Sequence, residues 1–323
     1  MMSLPDFKQK QIIFALLSMG EKLSFKNDNI VITDIDGKIK HQSTCYRLFA
    51  LFIVGHISIT SGLLQRSKKF GFSITMFSYG FIPYGTWQYK TEGNFLLRQK
   101  QYTYSSNDIA RHLVDNKIHR QLHYLQKRRD KSDNLKNAIE HIKHYQSLLA
   151  DQSLSSQEIL GIEGVSSRLY FAHIFDNIEW NGRSPRSKKD IVNLLLDIGY
   201  MKLFHIIDAM LNLYGFDTYK GVYHKEFYQR KSLVADIIEP FRSIIDYAIR
   251  KAFNLGQINI DDFDYRDGQY RLFGDKSKPY IALLLNAILE YKDEIFLYIQ
   301  QYYRAFMRDR PISGYPMFLG KLP

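Results

Sequence analysis

The chain has 323 residues, long enough for two domains that each bury a core, and sets 44 Lys plus Arg against 33 Asp plus Glu. The formal charge of +11 favours a polyanionic partner such as nucleic acid, although a solvated basic surface gives the same count. Cys45 is the only cysteine, which excludes a disulfide framework and a thiolate zinc site, and no run approaches the roughly 20 apolar residues of a spanning helix; a cytoplasmic protein with no membrane partner is expected.

From about residue 10 to 90 the apolar residues come in short runs between turn signals: KQIIFALL, KLSF, IVITDI, YRLFALFIVG, ISIT and FGFSITMF. Runs rich in Ile, Val, Phe and Thr that are divided by Asn, Asp and Gly read as strands. Asp36-Gly37, between IVITDI and KIK, predicts a hairpin, because this pair readily adopts the positive φ angles of a tight turn. After Gln101-Tyr102 the apolar period lengthens to three or four. Helices are expected over about 107–127, 133–150, 156–177, 188–213, 232–253 and 279–306, with Ser155/Glu158 and Ser187/Asp190 as reciprocal N-terminal caps. The fold class is therefore α+β: an N-terminal antiparallel, β-sandwich-like domain over 1–100, then a larger all-α domain over 101–323. The polar stretch WNGRSPRSKK at 180–189 reads as a flexible connector or a basic contact loop.

Three side chains carry potential chemistry. Glu163 lies in a largely apolar helix, where a carboxylate must be ion-paired, for instance to Arg168 or another basic helix, or bound to a metal. Glu239 shares a polar helix face with Asp236, Arg242, Asp246 and Arg250, which i to i+3 and i+4 ion pairs explain without any function. The adjacent Pro240 must begin or kink a helix there and makes a corner of this carboxylate. His224 closes the glycine-bearing segment GFDTYKGVYH, as a plain polar residue or as a ligand. The pairs His119/His123 and His141/His144 have ligand-like spacing but sit on charged helices, solvated or facing a polyanion.

Together the segments GIEGVSSRLYF, YGFDTYKGVYH and DIIEPFR resemble, in order and spacing, the three catalytic blocks of the CRISPR-associated endonuclease/integrase family (Cas-one), the catalytic subunit of the spacer-acquisition complex. Asn193, Gly199 and Tyr200, and the segment RQKQY at 98–102, extend the likeness, while Ser166, Ser167 and Thr218 depart from residues common in that family. The resemblance implies that the β domain serves dimerisation and DNA contact, and that Glu163, His224 and Glu239 are the catalytic residues and ligands of one Mg²⁺ or Mn²⁺ ion. Two carboxylates and an imidazole suit either cation. It further implies a homodimer that joins a small companion subunit (Cas-two) and inserts prespacer duplex DNA into a CRISPR repeat by 3′-hydroxyl attack on a phosphodiester.

Arg168 and Arg242 then either hold phosphates or pair with Glu163 and Glu239. Arg66, Lys68 and Lys69, the run Lys127 to Arg129, and Arg183, Arg186, Lys188 and Lys189 are candidate DNA-backbone contacts, each equally readable as a solvated face. Two alternatives stay open: a mobile-element integrase sharing the metal site, and a non-catalytic basic DNA-binding scaffold.

Overall fold

The computed structural model describes residues 2–89, 93–129, 131–272 and 274–320. It divides into two compact units, Met1–Gly93 with Leu272–Pro279, and Asn94–Arg271 with Tyr280–Pro323. The α+β organisation holds, strand-rich first and helical after. The division falls at Gly93/Asn94 and not at 100, and a short later segment joins the first unit.

In the first unit, α1 (Leu4–Lys8) precedes β1 (Gln11–Leu16), β2 (Lys22–Lys26), β3 (Asn29–Thr33), β4 (Ile39–Thr44), β5 (Leu48–Val54), α2 (Ser61–Phe70), β6 (Ser73–Phe77) and β7 (Pro83–Trp87). Strands β2-β3-β4 form an antiparallel sheet. The other sheet, β1-β5-β6-β7, is mixed, and β5 pairs in parallel with both β1 and β6. All seven residues of β5, LFALFIV, are buried, the continuous apolar run expected of a strand covered on both faces. Ile30 and Ile32 from one sheet and Leu51, Ile53 and Ile74 from the other share a core with Leu63 of α2.

The turn signal Asn27-Asp28-Asn29 forms a tight turn, with Asn27 and Asp28 both at positive φ between the paired Lys26 and Asn29, but two local expectations change. Around Asp36-Gly37 the β3–β4 hairpin does form, but over a longer loop in which the Asp34 carboxylate accepts from the Asp36 and Lys38 amides. ISIT is the irregular approach to α2, whose charged sequence SGLLQRSKKF buries only Leu63 and Ser67 and so gives little periodic signal.

The second unit contains α3 (Phe95–Thr103), α4 (Asp108–Gln126), α5 (Asp133–Leu148), α6 (Ser156–Ile174), α7 (Ile191–Tyr214), α8 (Ser232–Ile237), α9 (Arg242–Asn254), the hairpin of β8 (Asp264–Arg266) and β9 (Gln269–Arg271), α10 (Ser277–Glu290) from Tyr280 onward, and α11 (Lys292–Met307). Ser155 and Glu158 form the expected reciprocal cap of α6, whereas α7 is capped by Asp190 alone, which accepts from the Asn193 amide. The 232–253 helix breaks at a 3-10 turn, Glu239–Phe241, because Pro240 has no N–H to continue the ladder. Helix α4 packs against α5, α6 and that turn, and is buried on most sides. Gly199 of α7 lets α9 approach closely, since a Cβ there would stand 2.4 Å from Ile245. Among the described residues no helix is long and apolar enough to cross a membrane.

Candidate active site

Helix α6 buries one stripe, Ile159, Ile162, Ser166, Tyr170 and Ile174, and leaves Gly161, Gly164 and Arg168 exposed. Glu163 sits at the edge of that stripe, so its side chain is only 15% exposed yet borders open surface. The Glu239–Phe241 turn carries Glu239, 4% exposed, into the same neighbourhood. Between the two lies Lys117, from the middle of α4: its ammonium contacts Glu163 Oε1 and stands 2.7 Å from Glu239 Oε2.

The outer oxygens are also engaged. The Tyr223 hydroxyl donates to Glu163 Oε2 at 3.0 Å, and Arg242 Nε lies 3.0 Å from Glu239 Oε1 while its guanidinium covers the Tyr200 ring. Burial alone would push the Glu239 carboxyl up, but Arg242 and Lys117 hold it well below its ordinary value. Burial likewise opposes the Lys117 charge, and Glu239 and Glu163 outweigh it and hold the ammonium above its ordinary range.

His224 is placed by a loop pinned at several points. Gly215 ends α7 in the left-handed region, and the Gln101 side chain of α3 exchanges hydrogen bonds with the Asp217 backbone at 2.9 and 3.0 Å. Thr218 is buried, and its carbonyl accepts from the Leu233 amide at 3.0 Å. Further along, the buried Asp236 carboxylate of α8 accepts from the amides of Val222, Tyr223 and His224 and from the imidazole Nδ1 at 2.7 Å. Gly221 permits this approach, because a Cβ there would meet Asp236 Oδ2 at 2.7 Å. An ionised carboxylate can only accept, so Nδ1 donates to Asp236, and in the neutral imidazole this leaves Nε2 with its lone pair.

The donor set suits a hard divalent cation. It offers two carboxylates, a buried Glu239 Oε2 that accepts no directed hydrogen bond, and an imidazole oriented by a carboxylate through its other nitrogen. As placed, no three His, Cys, Asp or Glu side chains among the described residues close on one point, and the Lys117 ammonium stands between the glutamates.

The remaining candidates separate by what they touch. Arg242 pairs with Glu239, but Glu163 pairs with Lys117 and not with Arg168, which is exposed. Arg66 and Lys69 both pair with Asp28, at 3.5 and 2.9 Å. Arg128 pairs with Asp176 at 2.6 Å, and Arg183 pairs with Asp197 at 2.7 Å while lying over Tyr200. Arg183 and the Ser184 amide also donate to the buried Asn193, so the 180–189 stretch is an anchored loop where a flexible connector was one expectation. Lys188 is half-buried and its carbonyl accepts from Tyr270, whereas Lys68, Lys127, Arg129, Arg186 and Lys189 are exposed.

Asp236, which the helical pattern placed on a solvated face, is buried, as are Glu239 and Asp246. Sequence reasoning also missed Lys117 and Tyr223. The available signal was a run of polar residues, Asn116, Lys117, Arg120 and Gln121, inside a helix whose other positions are apolar enough to be central.

The sequence matches the family model described as CRISPR associated protein Cas1 over residues 14–285. It is 31% identical over 287 residues to CRISPR-associated endonuclease Cas1 1 of Chlorobaculum tepidum, covering 82% of this chain and 82% of that protein. Among solved structures it resembles a chain of the Cas6-RT-Cas1--Cas2 complex, with a TM-score of 0.80 at 23% identity over 95% of this chain and 36% of that longer one. It also resembles a casposase bound to integration product, with a TM-score of 0.77 at 18% identity over 94% of each chain. At these identities the structural likeness concerns the fold alone.

Proposed function

Because the chain belongs to the CRISPR associated protein Cas1 family, we propose that it is a metal-dependent DNA endonuclease and integrase whose centre is Glu163, His224 and Glu239. The observation that carries this reading is the meeting of Glu163 and Glu239, 76 residues apart in the chain, on one buried cation, beside an imidazole fixed by Asp236. The two glutamates and His224 Nε2 would hold Mg²⁺ or Mn²⁺, which when bound supplies Lewis-acid polarisation of a phosphodiester.

The chain's own groups do the rest. Asp236 keeps the imidazole in the tautomer that presents Nε2, and Tyr223 orients Glu163 through its hydroxyl. Exposed Gly164 leaves open space beside Glu163 through which a nucleic-acid strand can approach. With a DNA 3′-hydroxyl as nucleophile, a new P–O bond forms to the incoming oxygen as the bond to the outgoing 3′-oxygen breaks; one proton is lost by the first and one gained by the second. With water in its place the same exchange is hydrolysis.

The partners of this reading are a prespacer duplex, a CRISPR repeat, a second copy of the chain and the small companion subunit. DNA and the companion subunit are supported by the Cas1–Cas2 assembly and the integration product named for the structural neighbours, whereas the second copy of the chain and the CRISPR repeat rest on the family resemblance. The test incubates the full chain, with and without the companion subunit, with Mn²⁺ or Mg²⁺, a labelled duplex bearing free 3′ ends, and plasmid carrying either repeat or unrelated terminal-repeat DNA. Metal-dependent joining to the repeat is expected, with loss of joining but retained duplex binding for Glu163→Ala, His224→Ala and Glu239→Ala. Joining at the normal rate by His224→Ala defeats the assignment, and preference for terminal repeats favours a mobile-element integrase.

A further inference from the structure

Four carboxylate oxygens meet in the second unit, and each has a hydroxyl or cationic neighbour. Glu163 turns Oε2 to Tyr223, and Glu239 turns Oε1 to Arg242. The two inner oxygens, Glu163 Oε1 and Glu239 Oε2, both face the Lys117 ammonium. The glutamates are thus matched in charge by one lysine between them and one arginine outside. Two carboxylates cannot stay ionised together out of water without a cation, so the inner position must be filled. Glu239 Oε2 accepts no directed hydrogen bond although buried, so the ammonium meets it, at 2.7 Å, as a charge. A doubly charged ion that prefers hard oxygens can replace such a contact without orphaning an acceptor. The lysine stem is unbranched, and its point charge does not lock onto a carboxylate as a planar guanidinium does.

We propose that Lys117 is the resident counter-ion of the metal-free centre: it holds Glu163 and Glu239 together and competes with a divalent ion for their two inner oxygens. This rests on the reading of Glu163 and Glu239 as metal ligands. Metal loading is then a displacement, and Lys117, a positioning residue, holds down the affinity of the free protein for the ion.

The test is calorimetric titration of Mn²⁺ into the full chain without DNA, with thermal unfolding followed in parallel. Lys117→Met is expected to bind Mn²⁺ about tenfold more tightly or better, to unfold at a lower temperature than wild type without metal, and to gain more from added Mn²⁺. Lys117→Arg keeps a cation in place and is expected to bind no more tightly than wild type. A Met variant that folds only with Mn²⁺ present also supports the proposal. One that folds unaided and binds with wild-type affinity, or that stays unfolded at saturating Mn²⁺, overturns it. Glu163→Gln separates the two levels. If it binds Mn²⁺ as wild type does, the ligand assignment itself fails; if it abolishes binding while Lys117→Met leaves affinity unchanged, only the counter-ion proposal fails.

Discussion

Asp236 shows how much one buried side chain can organise. Its carboxylate gathers three successive amides and the His224 imidazole, so it sets both the loop path and the tautomer. Asp236→Asn replaces one accepting oxygen with a donor that faces N–H groups. We expect Mn²⁺ affinity and joining activity to fall by about 10–100-fold, the usual cost of losing an orienting partner, with the fold retained by circular dichroism. Unchanged affinity would show that the imidazole is positioned by something else. Nearby, Asp246 accepts from Tyr170 at 3.0 Å and from Tyr200, and burial pushes its carboxyl up from 3.8 to about 6 despite both hydroxyls. A folded value above the unfolded one means the native state binds the extra proton. Its contribution to stability is therefore greatest below 3.8, declines as pH rises to about 6, and is level above that. Asp246→Asn keeps hydrogen-bonding groups without the charge. In urea unfolding, wild type should lose roughly 2 kcal/mol relative to this variant between pH 4 and pH 7, whereas parallel profiles would contradict the assignment.

Among the elements, α4 carries the most. It supplies Lys117, and one turn of it is held by the segment after α11. Asn116 donates to the Phe318 carbonyl at 3.0 Å and accepts from its amide at 2.9 Å, His112 lies 2.8 Å from the Pro316 carbonyl, and Phe318 packs on Phe241 beside Glu239. This strap therefore ties α4 to the turn that bears the second glutamate. Asn116→Leu fills the same space but orphans the Phe318 amide and carbonyl. We expect a loss on the order of 2 kcal/mol in urea unfolding and faster amide exchange over 315–320. Unchanged exchange there would mean that packing alone holds the strap. The helix periods of α4 to α7 were legible because long apolar stripes survive local noise, and the break at Glu239 was legible because proline cannot donate. Helices α2 and α3 were not, since each is short and charged and buries only two side chains.

At the scale of the molecule the +11 charge is unevenly available. Arg66, Lys69, Arg128, Arg183 and Arg242 are each held by a carboxylate, whereas Lys68, Lys127, Arg129, Arg168, Arg186 and Lys189 are exposed. In the 180–189 loop this splits one basic cluster into two kinds of residue. Arg186→Glu with Lys189→Glu is expected to weaken duplex binding and to lower the slope of log affinity against log salt by about 2, while the fold is untouched. Arg183→Glu should instead destabilise the fold, because it sets a second carboxylate against Asp197. Equal salt slopes for wild type and the double variant would remove this loop from the DNA surface.

Hydrophobic period, turn chemistry and a proline are local properties, so the two-part architecture, most helices and the Glu239 corner could be read along the chain. The three blocks around Glu163, His224 and Glu239 carried the family in the same way. Burial and partnership are not local. Asp236 and Asp246 share a helical face with arginines and read as solvated, until other helices close over that face and remove it from water. Lys117 precedes Glu163 by 46 residues and Glu239 by 122, and nothing in the spacing brings an ammonium between them. Only the crossing of α4 with α6 and the Glu239 turn does so, because a buried carboxylate must find its cation wherever packing places one.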